Sequence, residues 1–392
     1  MSFVFLALSS AALGFGVAAT RSRGIRGPWW VPAMVAAELA PWFLAGLGAM
    51  VVLSAAAGST GGWAGTAGLV LSGFSAMLFV IAIAQSVRAR PSIEAGVSEV
   101  LGSPVSLPPI RMRSLLRPYP PLPGPFRVDT LSYGPHERNV VDRIRQHDAR
   151  SPAPVLVHIH GGGWWRGRPG RQARPLIHRM ARAGWVVLAP TYRLSPEATF
   201  PDHLEDIRTL LRWARENASG LGVDPGFIAI AGGSAGGQLA ALAAMADGSD
   251  VPGDDAFPQL AIPIYGVHDL FGDDGVSAKW PYLQTQVLKS DPFTDREAWL
   301  QASPIHRATL SRSPFLVIHG AADSVVDASE SGRLVEALRA AGGPPVGHIS
   351  VPSANHGFDF FASIRALLLA EGIGIALETL YERLSQRMGD EA

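Results

Sequence analysis

Hydrophobic and polar positions divide this chain into two unlike parts. Residues 1–87 carry long uncharged runs, whereas residues 126–392 alternate short apolar stretches with mixed ones. Phe3 to Ala19 is an apolar run of 17 residues, and Leu39–Ala57 and Ala67–Val87 hold 19 and 21 residues without a charge. Runs of this length suit helices crossing about 30 Å of hydrocarbon. Trp29, Trp30, Trp42 and Trp63 stand near the run ends, as interfacial aromatics do. Glu38 and Pro41 blur the start of the second run, and Glu38 is read as interfacial. A cleaved signal peptide over residues 1–20 is the rival reading. It fits poorly, because no positive charge precedes the run and further runs follow it. Three spans are expected, at about 3–19, 39–57 and 67–87.

Between residues 91 and 125 the pattern breaks, with nine prolines in the stretch. Proline removes donors and blocks helix and central strand alike, so this segment reads as a semi-rigid tether. The expected organisation is a membrane anchor (1–90), a tether (91–125) and a catalytic domain (126–392).

Within the last part the periods alternate. Phe126–Tyr133 reads as an edge strand, and Pro154–His160 as a buried strand ending in three glycines. Residues 171–183 have helical spacing, and 185–190 read as a strand. Leu204, Ile207, Leu210, Leu211 and Ala214 line one face of a helix over 202–217. Strands follow at 228–231, 259–264, 315–319 and 347–351, with helices after 234, near 328–341 and from about 364. Apolar strands alternating with helices imply an α/β fold whose mostly parallel sheet is covered on both faces. Chemistry in such sheets sits beyond the carboxyl ends of the strands.

Composition narrows the class. Thirty-three basic and 33 acidic residues leave no net charge to recruit nucleic acid. The absence of cysteine excludes disulfides, thiolate catalysis and cysteine zinc sites. Charge placement also orients the spans. Arg21, Arg23 and Arg26 lie between the first and second runs, Arg88 and Arg90 follow the third, and Gly58–Gly62 has no charge. The positive-inside rule then puts the N-terminus outside and the catalytic domain in the cytoplasm of a multi-pass cell-membrane protein.

The chemistry centres on Ile228-Ala229-Ile230-Ala231-Gly232-Gly233-Ser234-Ala235-Gly236-Gly237. A strand turning into a helix through Gly-x-Ser-x-Gly is the nucleophile-elbow pattern, with helix N–H groups aimed where negative charge develops. A phosphate loop would need Lys and Ser or Thr after Gly237, and Gln238-Leu239 stands there. An elbow serine needs an acid and then a histidine later in the chain. Asp323 follows the strand Phe315–His319, while Asp327 sits at a helix start where capping is the simpler role. His348 lies within a strand and His356 in the loop beyond it, so His356 is the better base. His160-Gly161-Gly162-Gly163 at a strand end can turn backbone donors toward an oxyanion. His158 and His160 share a strand face but lack further ligands nearby, so no metal is expected, and His160 is read as pinning the glycine loop. No cofactor is expected.

With these residues in place, the chain from about 126 to 390 resembles the hormone-sensitive-lipase-like group of α/β-hydrolase esterases. The resemblance rests on His160-Gly161-Gly162-Gly163, Tyr192-Arg193-Leu194-Ser195-Pro196-Glu197, Phe200-Pro201, Glu205-Asp206, the elbow, Ser303-Pro304, His319-Gly320-Ala321-Ala322-Asp323 and His356-Gly357-Phe358. It implies the α/β-hydrolase fold, a triad of Ser234, Asp323 and His356, and oxyanion donors at Gly162, Gly163 and Ala235. Gly233 departs from the Asp of many lipase-like members and matches feruloyl- and acetyl-esterase-like relatives. Gly163-Trp164 also fits kynurenine-formamidase-like relatives, so an amide hydrolase is the alternative chemistry. A non-catalytic scaffold would be expected to lack a triad member. The implied partners are a small-molecule ester and, through the N-terminal helices, membrane lipid. Residues 266–300, with Tyr265, Phe271, Trp280, Tyr282 and Phe293 in or beside them, are a candidate lid.

Overall fold

A computed structural model of the chain describes residues 1–21, 27–122, 124–148, 151–246, 257–272 and 280–390. Arg23, Arg26 and residues 273–279 of the lid segment lie outside the described residues.

Eight strands form one sheet: β1 (Arg127–Ser132), β2 (Val140–Arg145), β3 (Ala153–Ile159), β4 (Val186–Pro190), β5 (Val223–Gly233), β6 (Leu260–Ile264), β7 (Phe315–Gly320) and β8 (Val346–Val351). Their spatial order is β1-β2-β4-β3-β5-β6-β7-β8. The pairs from β4 through to β8 are parallel, and β1–β2 and β2–β4 are antiparallel. This is the α/β-hydrolase arrangement. Strands β3 and β4 are buried throughout, matching their unbroken apolar sequences.

Sequence periodicity does not single out β2, because Val140-Val141-Asp142-Arg143-Ile144-Arg145 mixes charge with apolar residues. The sheet resolves that mixture. Val141 and Ile144 are buried, and Arg143 reaches out to the Asp129 carboxylate at 2.8 Å and to the carbonyls of Gly220 and Leu221.

The N-terminal part forms helices α1 (Ser2–Thr20), α2 (Trp30–Glu38), α3 (Ala40–Ala56) and α4 (Gly62–Val87). Helices α1 and α4 pack along each other in the same direction. Phe5 lies against Gly68, Ser9 shares a 3.1 Å hydroxyl contact with Ser72, and Gly16 meets Leu78. Both are long and apolar enough to cross a membrane, and α2 with α3, bent by 77°, makes a third crossing if counted as one span. Large apolar side chains such as Leu53 and Phe74 are exposed on these helices.

Two expectations are corrected here. The stretch 91–125 is not free of helix: α5 (Ala89–Leu101) continues directly from α4. Its residues Ile93, Val97, Val100 and Leu101 are buried in the same core cluster as Ile349 and Leu368 of the catalytic part. Pro91 is tolerated because it stands in the helix's first turn, where its missing N–H has no partner to lose. The prolines that do preclude helix lie further on, from Pro104 to Pro125.

Glu38 is not interfacial either. It is fully enclosed and ion-paired at 2.7 Å to Arg365, itself fully enclosed at the start of the C-terminal helix Ile364–Asp390. The pair ties the N-terminal helices to the sheet-bearing part across 327 residues of sequence. Arg365→Met should destabilise the protein by about 3–5 kcal/mol, because it strands a buried carboxylate. The double variant Arg365→Met/Glu38→Leu should recover most of that loss, read as denaturant midpoints in detergent. Equal midpoints for wild type and Arg365→Met would mean that the pair contributes nothing to joining the two parts.

Candidate functional site

β5 delivers Ser234 to the centre of the sheet's carboxyl edge, and the helix Ala235–Ala243 begins at once after it. Ser234 has φ 57° and ψ −122°, a strained backbone for a residue with a side chain. The flanking glycines permit the sharp turn. A Cβ on Gly236 would come within 2.4 Å of the Ile159 carbonyl oxygen, so the elbow helix can lie this close to β3 only with glycine there. Ser234 N–H donates to the Ile264 carbonyl at 2.9 Å, which fixes the apex against β6.

The glycine loop after β3 lies beside this serine. A Cβ placed on Gly161 would stand 3.1 Å from the Ser234 Cβ. Gly161 N–H is already used, donating to Gln172 Oε1 at 2.7 Å. Among the described residues no acceptor is recorded for the N–H groups of Gly162, Gly163 and Ala235. His160 fastens the loop: Nδ1 lies 3.0 Å from the Gly161 oxygen and the ring stacks on Tyr192 at 4.6 Å. Burial lowers the His160 pKa to about 4, so the ring is neutral there. That matches its reading as a structural residue. Trp164 Nε1 donates to Gln238 on the elbow helix, and the Tyr282 hydroxyl donates to the Gly163 carbonyl.

Beyond β7 and β8 the other two residues meet. His356 Nδ1 lies 2.8 Å from Asp323 Oδ2, and both side chains are nearly or fully enclosed. Asp323 Oδ1 accepts the N–H groups of Val325 and Val326. Its Oδ2 also has His319 Nε2 at 3.3 Å, a neighbour that sequence spacing does not reveal. Ser331 Oγ sits 2.7 Å from His319 Nδ1, so a donating hydroxyl there leaves the Nε2–H pointing between the Val326 carbonyl at 3.2 Å and the Asp323 carboxylate. Burial alone would raise the Asp323 carboxyl, but the facing His356 and the His319 hydrogen bond together hold it well below the usual range. Asn355 joins the two loops, its Oδ1 accepting from the N–H groups of Ser324 and His356.

The alternatives take other positions. Asp327 Oδ1 accepts the Ser329 N–H at the start of the helix Ser329–Ala340, which is a capping role. His348 lies in β8.

Tyr265 bridges the serine and histidine halves and is no lid residue. It is buried after β6, its ring stands 4.7 Å from the His356 ring, and its hydroxyl occupies the space that a Cβ on Gly233 would enter. An aspartate at 233 has no room here. The Tyr265 hydroxyl instead donates to Asp359, whose carboxyl is pushed up to about 6 by burial. From the N-terminal helices, Trp30 meets His356 edge-on at 5.6 Å. An expected interfacial tryptophan thus stands against the site histidine.

Comparison with known proteins agrees with this architecture. The BD-FAE family model matches residues 142–338. Esterase LipQ of Mycobacterium tuberculosis is 37% identical over 71% of this chain and 68% of its own length. The probable carboxylic ester hydrolase LipM of the same organism is 36% identical over 69% of this chain and 67% of its own. Among solved structures, Thermogutta terrifontis esterase 2 phosphonylated by sarin superposes with a TM-score of 0.53 at 26% identity, covering 71% of this chain and 98% of that one.

Proposed function

The chain belongs to the BD-FAE family and is a carboxylesterase-like α/β hydrolase, and from that premise we propose a membrane-anchored serine esterase whose triad is Ser234, His356 and Asp323. The observation that carries the proposal is the 2.8 Å His356–Asp323 hydrogen bond together with a serine in elbow geometry on the same sheet edge. His356 Nε2 takes the Ser234 proton as Oγ bonds to the ester carbonyl carbon. The oxyanion is held by the N–H groups of Gly162, Gly163 and Ala235. Collapse breaks the ester C–O bond, and His356 returns the proton to the departing alcohol. Water then attacks the acyl-enzyme by the same route, and the acid and Ser234 Oγ–H are regenerated. Asp323 keeps the proton on Nδ1 and stabilises the imidazolium.

Anchoring is supported by the parallel packing of α1 and α4, since two neighbouring helices that cross in one direction need a return crossing between them. With three crossings and the arginine asymmetry, the catalytic domain faces the cytoplasm. One experiment addresses both nucleophile and sidedness. A membrane-permeant fluorophosphonate should label the peptide bearing Ser234 in intact cells, with fluoride leaving as the Oγ–P bond forms. A permanently charged, impermeant analogue should label it only after permeabilisation. Labelling of another residue overturns the nucleophile, and labelling of intact cells by the charged probe overturns the cytoplasmic placement.

A further inference from the structure

Away from the triad, a cavity of about 1060 Å³ lies between the proline segment 108–125 and the helices Arg174–Arg182 and Ile364–Asp390. Arg111, Arg113, Arg117 and Arg182 line it, and among the described residues none of them has a carboxylate within ion-pairing distance. Its two acids, Glu371 and Glu378, are both taken by Arg179. The cavity therefore keeps an excess of unbalanced positive charge.

The position of its wall is set by the anchor. Arg90, three residues past the end of α4, donates to the carbonyls of Leu107 and Pro108. Trp42 Nε1, near the start of α3, donates to the Leu115 carbonyl at 3.1 Å. The arginine-bearing segment is thus held at the ends of two apolar helices. Met112 and Leu116, interleaved with the arginines, are 73% and 68% exposed. Exposed apolar side chains alternating with arginine at a helix–bilayer boundary suit a lipid headgroup with its chains alongside.

We propose that this cavity binds the phosphodiester headgroup of an anionic glycerophospholipid from the leaflet on which the catalytic domain rests. The inference depends on the membrane-anchored reading but not on the triad. The guanidinium groups would pair with the phosphate oxygens, and Met112 and Leu116 would lie against the acyl chains.

The test is native mass spectrometry of the full chain in detergent with equal amounts of dioleoyl phosphatidylglycerol and dioleoyl phosphatidylcholine. The wild type should retain the phosphatidylglycerol preferentially. The Arg113→Gln/Arg182→Gln variant should lose roughly 20- to 30-fold of that preference, at about five-fold for each arginine near an anionic surface. Arg212→Gln, on an exposed helix face elsewhere, should change nothing, and Arg113→Lys/Arg182→Lys should keep most of the preference. Ester turnover reports folding of each variant; if the glutamine pair does not turn over ester, the single Arg182→Gln variant is read in its place. Equal retention of the two lipids by the wild type, or an undiminished preference in the glutamine variants, overturns the proposal. Displacement of the lipid by glycerol 1-phosphate at equal concentration would reassign the cavity to a soluble phosphoester and also overturn it. Carbonate extraction of membranes checks the anchor separately, so failure of that reading is distinguishable from failure of lipid binding.

Discussion

Ser234→Ala is expected to leave a folded protein with ester turnover reduced by roughly 10⁴-fold or more. The substitution removes only Oγ. It keeps the Cβ and with it the same backbone demand at φ 57°, and the Ser234 N–H contact to Ile264 involves the main chain alone. Stability should therefore be nearly unchanged, and a thermal melt beside the wild type checks this. What disappears is the atom that forms the acyl-enzyme, leaving oxyanion stabilisation without covalent catalysis. Turnover of short p-nitrophenyl esters within a few-fold of wild type would show that Ser234 is not the nucleophile. The same assay with N-formyl substrates separates ester from amide preference.

The second large effect concerns the acid. Asp323→Asn should lower turnover on the order of 10⁴-fold through the wrong imidazole tautomer. The local geometry decides which way the amide sits. Val325 and Val326 both aim N–H groups at Oδ1, so the amide oxygen must take that place. The NH₂ then faces His356 Nδ1 and His319 Nε2, where the carboxylate had accepted. It would donate to Nδ1, and the proton would move to Nε2, the nitrogen that must receive the serine proton. His356→Ala should be as damaging as loss of the serine. Asp327→Asn and His348→Ala, at a helix cap and in a strand, should cost far less. A reversed order between Asp323 and Asp327, or between His356 and His348, would reassign the acid or the base.

What the sequence by itself determined is local. Unbroken apolar runs announce both the strands, which are buried on both faces, and the long N-terminal helices, which carry apolar side chains all round. The elbow is legible because a turn of that sharpness needs glycine two residues to either side of the serine, and an acid and a histidine follow it beyond later strands. Gly232 and Gly236 carry that signal without any tertiary information.

Tertiary structure decided whatever depends on partners distant in sequence. Glu38, next to a hydrophobic run, reads as interfacial until Arg365 is found enclosed against it. The start of α5 carries a proline yet forms helix, since Ile93 and Val97 gain a core to bury in and Pro91 occupies the one turn that can spare an N–H. Tyr265 reads as an aromatic in or beside a candidate lid, but the fold sets it against His356 with Asp359 as its acceptor. His319 is one of several strand residues until the turn after β7 brings its Nε2 to the carboxylate four residues on. Local pattern records how much burial or turning a residue can bear; which group compensates a buried charge or shares a proton is settled only when the strands and helices carrying them are packed together.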